Sequence, residues 1–410
     1  MTLKFEPESL KKELIDVTLS LSEYQIYSEE LNDFLEESST DDDDFETTIS
    51  TESKFEFSIS GVDETLSLSI QDLRNFTEEL QTARIIDGLE CVSNSRYLLK
   101  VLPHYDAENI HSQVLYYEHS GYFYETIADV DGVTYTCKVQ TGFTIFAALA
   151  AKHMYYDKYL PLVTEDHFFI EVIHSKPVDI AHAREVAYAY LFELNTNLNI
   201  SFDPSPRPMN VHFYDDTLEI ESTLRFRPLL LGKGILELQK MFLKAASSAD
   251  LEFKIISFVK VLEYVSQTAT RNEINARIFS KLYRPDALNP TSEFVKELEN
   301  EFKELSKFKK DKEAIKQTII SCCDYAELKP SISGFILKKI GKGDALSALD
   351  TISNVIVATR NQLSHAKTNY AYTGDECPFD ELEVLCRILK ICARQAIYWF
   401  NLQGESLRLA

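Results

Sequence analysis

The chain has 410 residues, 45% of them hydrophobic, enough for two or three domains with sizeable cores and too apolar for a disordered polypeptide. Its seven cysteines form no C-x-x-C pair, and Cys377, Cys386 and Cys392 lack zinc-ligand spacing, so the expectation is a reducing cytoplasm with no structural metal and no cofactor. The net charge of −23 argues at first against a nucleic-acid partner, but it is unevenly spread. Residues 1–225 carry 15 Lys+Arg against 42 Asp+Glu, a balance of −27; the remainder has 42 − 15 = 27 basic against 65 − 42 = 23 acidic residues, a balance of +4. The second half is therefore mildly basic, as a region that handles nucleic acid would be.

The first residues lack the apolar run of a signal peptide. Residues 8–37 begin with helical spacing at Leu10, Leu14, Val17 and Leu21. Within 36–46, Asp41, Asp42, Asp43 and Asp44 repel one another and predict a solvated loop; the sharper alternative is a mimic of a nucleic-acid backbone that shields a basic cleft. From Lys54 the period becomes two: Phe55, Phe57 and Ile59, then Leu66, Leu68 and Ile70, predict a hairpin across Gly61-Val62-Asp63-Glu64. Strands are predicted at 97–102, 114–117, 122–127 and 134–139, with Asp131-Gly132 as a tight turn. The run 142–160 turns helical; its apolar part, 142–151, is too short to cross a bilayer, and no membrane partner is expected. A strand at 168–173, a helix at 179–194 and strands at 211–214 and 217–220 complete a mixed α/β region with mainly antiparallel pairing.

Of the nine histidines, eight lie in this half, none in an H-E-x-x-H pattern, which makes them surface or core residues rather than ligands. The aromatic run Tyr116, Tyr117, Tyr122, Phe123 and Tyr124 fits a recognition surface and sheet packing equally. Prolines at 204, 206 and 208 make an extended connector, and Arg225-Phe226-Arg227-Pro228 opens the second half. The boundary is placed between 225 and 226, with an acidic sensing or regulatory domain before it. Gly232-Lys233-Gly234 lacks the spacing of a phosphate loop and predicts a plain turn.

Beyond it the pattern is helical throughout: 235–246, 252–268, 272–282, 292–312, 314–328, 331–339 and 381–402, with a helix after Asp344, a good N-cap. The segment 307–312 is a basic cluster. Lys338, Lys339 and Lys342 form a lysine-glycine turn before the Asp344 helix that would touch RNA backbone or stay merely solvated. Ile352, Val355, Ile356, Thr359 and Leu363 form the apolar stripe of that helix.

On the same helix, Arg360-Asn361 is followed by Ser364 and His365, the only histidine after residue 226. A guanidinium binds a phosphate with parallel hydrogen bonds, and an imidazole moves a proton near neutral pH. Together they suit phosphodiester chemistry without a metal. At about 100° per residue, the five-residue step from Arg360 to His365 turns about 140°, so a regular helix does not align the two. Either the helix ends near His365, or the motifs of two chains meet.

Arg360-Asn361-x-x-x-His365 on the penultimate long helix of an all-helical region resembles the HEPN superfamily. The segment from Phe258 to Tyr264 is similar to the early helix of its ApeA-like branch. The resemblance covers roughly residues 226–410 and implies an α+β chain whose C-terminal half is an all-α HEPN-like bundle. It implies a metal-independent endoribonuclease with Arg360, Asn361 and His365 catalytic. Glu263 and Ser364 would support them. RNA, tRNA included, would be the substrate, and a homodimer would join through the motif helix. The setting would be bacterial antiphage defence by abortive infection, with a phage-derived trigger or a regulatory partner. Lys367 stands where one variant of the motif has tyrosine, which argues against control by adenylylation there. The alternative is a non-catalytic HEPN-like scaffold for RNA binding or dimerisation, acting through the N-terminal domain. A metal-dependent nuclease would need clustered carboxylates on a strand scaffold, which the run from Asp41 to Asp44 does not offer.

Overall fold

Apolar and polar residues alternate through much of the first half of the computed structural model and build it as sheets, whereas three-and-four spacing builds the second as helices. The structure describes residues 2–5, 9–37, 46–59, 62–103, 124–141, 143–153, 156–157, 160–161, 163, 167–205, 226–364 and 372–408. The chain divides into two units, Met1–Leu229 and Leu230–Ala410. Expectations for Asp41, Asp42, Asp43 and Asp44, for 114–117, 211–214 and 217–220, for Tyr116, Tyr117, Tyr122 and Phe123, and for His104, His111, His119, His212 and His365 lie outside the described residues.

The first unit opens with β1 (Thr2–Phe5), α1 (Leu10–Ser22), β2 (Ile26–Tyr27), α2 (Glu29–Glu37) and β3 (Glu46–Ile49), the last paired in parallel with β1. β4 (Lys54–Ile59) and β5 (Val62–Ser69) form the expected hairpin, and β2 adds to it. The loop is shorter than 61–64, because Val62 already pairs with Ile59 beside a bulge at Ser58. Ile70 leaves the strand to start α3 (Ile70–Thr82), a helix the two-residue period hid. Ser69 caps it: Asp72 N donates to Ser69 Oγ at 3.1 Å, and that hydroxyl donates to the Asp72 carboxylate at 2.7 Å. Ile70, Leu73, Thr77 and Leu80 form its buried face.

The strands β6 (Arg84–Ile86), β7 (Glu90–Val92), β8 (Arg96–Pro103), β9 (Thr126–Val130) and β10 (Val133–Thr141) follow. Then come α4 (Ile145–Lys152), the short β11 (Tyr156–Asp157) and β12 (Leu160–Pro161), β13 (Phe168–His174), α5 (Ile180–Leu198) and β14 (Phe202–Pro204). The antiparallel sheet has the order β6-β7-β8-β13-β10-β9, with β14 beside β8. Asp131 and Gly132 turn β9 into β10 with φ of 50° and 75°, both left-handed, as a two-residue hairpin requires. The predicted helix 142–160 ends at Lys152 and starts at a Thr144 cap.

This sheet buries charge. Glu171 on β13 stands opposite Leu98 and Lys138, is 1% exposed, and pairs with Lys138 at 3.0 Å and with Arg96. Glu79 of α3 accepts from Ser93, Ser95 and Arg96. Arg184 of α5 forks onto Glu90 at 2.9 and 2.6 Å. Arg227 reaches Glu193 of α5 at 3.0 Å and Phe226 packs on Tyr190, so these residues belong to the first unit and the division falls after Leu229 rather than after 225.

The second unit is all helical among the described residues: α6 (Ile235–Ser247), α7 (Leu251–Leu282), α8 (Ser292–Leu305), α9 (Asp311–Cys322), α10 (Tyr325–Leu328), α11 (Gly334–Ile340), α12 (Ala345–Ser364) and α13 (Leu382–Asn401), with short 3-10 turns between some of them. The chain is thus α+β, with antiparallel sheets first and helices second.

Where two helices were expected at 252–268 and 272–282, α7 runs unbroken for 32 residues. No Gly or Pro interrupts it, Thr268, Ala269 and Thr270 are buried, and Thr270 Oγ1 donates to the Ser266 carbonyl at 2.7 Å. The expected 292–312 instead stops at Leu305, where a 3-10 turn reverses the chain into α9, and Asp324 caps a separate α10. The helix expected at 331–339 starts only at Gly334, held by Glu381 as described below. Ile255, Phe258, Val259, Leu262 and Val265 of α7 pack among α6, α9, α12 and α13, which makes α7 the axis of the core. Among the described residues no helix is long and apolar enough to cross a membrane.

Candidate functional site

Asp344 caps α12 as expected: its carboxylate accepts Ser347 N at 2.8 Å. Ile352, Val355, Ile356 and Thr359 are buried, so the following residue, Arg360, emerges at the edge of the apolar face. Its guanidinium is 27% exposed and is held from two directions. Nη2 donates to Glu263 Oε1 of α7 at 2.6 Å, across 97 residues of sequence. Nη1 donates to Asn361 Oδ1 at 3.1 Å. Arg360, Asn361 and Glu263 are therefore one cluster, and the remaining guanidinium N–H groups are left for an anion. Ser364 is exposed and is the last described residue of α12. His365, Lys367 and Tyr370 lie outside the described residues, so the structure gives no geometry between Arg360 and His365.

The chain after the motif is pinned back on its own helix. Cys377 N donates to Thr359 Oγ1 at 2.8 Å. The Glu376 carboxylate gathers Thr373 N at 2.8 Å, Thr373 Oγ1 at 2.9 Å and Gly374 N at 2.9 Å. Glu381 accepts Phe335 N at 2.6 Å, and a Cβ on Gly334 (φ +56°) would overlap that carboxylate. The Cys377 thiol is pushed up to about 12 by burial, then by Glu381 and Asp380, which makes it a poor nucleophile.

The lysine turn is not gathered into the cluster. Lys339 pairs with Asp375 and sits 5.2 Å over the Phe335 ring, so its charge is committed to the protein. Lys338 and Lys342 are exposed. Among the described residues no group of three or more His, Cys, Asp or Glu is placed to hold a metal ion. The contacts Thr359–Cys377 and Phe335–Glu381 had no signal in the sequence: they join side chains to backbone groups of distant segments, and no spacing rule encodes such a pair.

Compared with protein-family models, curated proteins and solved structures, the chain matches none.

Proposed function

We propose that the C-terminal unit is a metal-independent endoribonuclease of the HEPN type. The observation that carries this reading is the Arg360 guanidinium: 27% exposed near the end of α12, held by Glu263 and Asn361, and five residues before His365 in sequence. A preorganised cation costs no reorganisation when charge develops on a phosphate. In this reading the 2′-oxygen attacks phosphorus as the bond to the 5′-oxygen breaks, and His365 either takes the proton from the ribose 2′-hydroxyl or donates one to the leaving 5′-oxygen, water serving the other proton. The products are a cyclic phosphate and a 5′-hydroxyl, and DNA, which has no 2′-hydroxyl, is spared. Arg360 binds the scissile phosphate. Asn361 accepts from Arg360 at Oδ1 and keeps its amide N–H for the phosphate or the imidazole. Glu263 is a positioning residue. Ser364 stands at the mouth, and Lys338 and Lys342 contact the RNA backbone.

Two copies of α12 face one another in a homodimer, which answers the 140° offset between Arg360 and His365 expected on a regular helix of about 100° per residue. The acidic first unit senses a trigger or restrains the site, in a cytoplasmic antiphage role that ends in abortive infection.

The test is incubation of the full chain with tRNA and total RNA in EDTA. Cleavage is expected, and Arg360→Ala and His365→Ala are expected to abolish it while far-UV circular dichroism stays unchanged. Undiminished cleavage in both variants overturns the assignment. A second reading, a non-catalytic scaffold, is favoured by the same ion pair, because Glu263 neutralises Arg360. Wild-type protein that binds RNA in EDTA and leaves it whole would select that reading.

A further inference from the structure

The central helix α7 is enclosed on most of its circumference, yet one line of it is open. Lys260, Gln267 and Arg271 are exposed, while Val259, Val261, Leu262, Val265, Ser266, Thr268, Ala269 and Thr270 around them are buried. At about 100° and 1.5 Å per residue, the three fall within about 40° of arc and span about 16 Å. Toward the N-terminus the line continues to the exposed Phe253, with the ammonium of Lys244 from α6 5.9 Å from its ring centroid.

The flanks of this line are known. On one side Glu263 reaches Arg360 at the end of α12. On the other, Tyr264 meets Phe400 of α13, ring centroids 6.1 Å apart, with Glu237 acting on its phenol. The line therefore runs between α12 and α13, and Arg360 joins it at a level between Lys260 and Arg271.

Its charges differ from those at and just past the C-terminal end of the helix. Farther along, Arg277 is paired with Glu273 and Glu301, Lys281 with Glu297, and Arg284 with Glu297 and Asp286. Lys260 and Arg271 have no acidic partner among the described residues, and the one carboxylate beside them, Glu263, is taken by Arg360. Ordinary surface design on a helix places an acid three or four residues from such cations. Here the positions four away hold Ile256, Tyr264, Gln267 and Asn275, and of those three away only Glu263 is acidic, and it pairs with Arg360.

We infer that this line is a track for the backbone of single-stranded RNA, with Lys260 and Arg271 each holding a phosphate on either side of the one at Arg360. The inference deepens the ribonuclease reading and rests on it for the role of Arg360. A single strand fits because its backbone can follow a straight helix lying between two others, whereas a duplex needs a broad face to present its grooves.

The test uses the full chain and a fluorescein-labelled, 2′-O-methylated RNA of about 12 nucleotides, which cannot be cleaved, in single-stranded and duplex form. Lys260→Ala with Arg271→Ala is expected to weaken single-strand binding about tenfold and to flatten the plot of log affinity against log salt by about 1.4, twice the roughly 0.7 of one phosphate contact. Arg284→Ala, which removes a cation already paired, is expected to leave both unchanged. On cleavable RNA the double variant is expected to raise KM.

Unchanged affinity and salt slope in the double variant overturn the track, as do tighter binding of the duplex or no binding by the wild type. Binding that depends on Lys260 and Arg271 without any cleavage would instead sink the ribonuclease reading and leave the track standing. Cleavage with an unmoved KM in the double variant would do the reverse.

Discussion

Glu171 and Arg360 each sit in an ion pair, and their surroundings could hardly differ more. Glu171 is 1% exposed in the middle of a sheet, with Arg96 and Lys138 closing over it. Arg360 and Glu263 are 27% and 30% exposed at the edge of a helical core made almost wholly of aliphatic and aromatic side chains. In the first unit the charged residues are part of the construction: they link β8, β13, β10, α3 and α5. In the second, the helix core is mainly apolar, and charged groups act at its edges and in the connections between helices. The polar residues of the helical unit are thus the better place to look for chemistry, and those of the sheet the better place to look for stability.

The largest effect that would sharpen this contrast is expected in the helical core. Phe258 is 1% exposed and packs against Phe242 at 5.4 Å; Phe258→Ala should cost the C-terminal unit about 3–5 kcal/mol. The chain's one tryptophan, Trp399, lies in that unit, so its fluorescence during denaturant unfolding reads the loss selectively. Next, Glu171→Ala leaves Arg96 and Lys138 without their carboxylate. The cost should be about 3 kcal/mol, the lower end of the range for a broken buried pair, because both cations keep some contact with water. It should appear in the sheet's far-UV signal and leave the Trp399 transition in place. If Trp399 moves by the same amount, the two units do not differ as described.

Acid provides a gentler comparison. Burial alone would raise the Glu171 carboxyl, but Arg96 and Lys138 outweigh it and hold it below the usual value of 4.5. Burial holds the His174 imidazole below 6.5, against the pull of the Lys176 carbonyl. Both groups bind protons more readily in the unfolded chain, so both contribute stability that is present at neutral pH. His174's share is lost as pH falls from 6.5, and Glu171's as it falls from 4.5. The first unit should therefore soften in acid ahead of the second, where Glu297 is lowered by Arg284 in a pair only partly covered from solvent. A pH series of melts with both probes checks this; a Trp399 transition that falls first would contradict it. The smallest effect is Asp344→Ala, which removes the cap of α12 and should cost about 1 kcal/mol by Trp399 fluorescence.

The helices of the second unit and the hairpins of the first were legible because spacing alone sets which face is buried. α3 was passed over although Ser69 and Asp72 spell a cap, because the two-residue alternation ran straight up to it. α7 runs on through Thr268 and Thr270, whose low helix propensity their burial overrides, so the division expected after 268 is absent. At the site, Arg360 and Asn361 could be picked from a motif. The partnership of Arg360 with Glu263 rests on tertiary packing across 97 residues, which no local pattern contains. Lys339 illustrates the converse: a lysine that reads as available from sequence is claimed by Asp375 in the fold.

The bond from Cys377 N to Thr359 Oγ1 closes a ring of backbone spanning 18 positions, with the helix as one fixed post and the buried Cys377 as the other. Closure entropy grows only with the logarithm of contour length, so doubling such a ring costs about 0.6 kcal/mol. Residues added to the ring outside the stretch from Arg360 to His365 should therefore cost little stability while the posts stay planted.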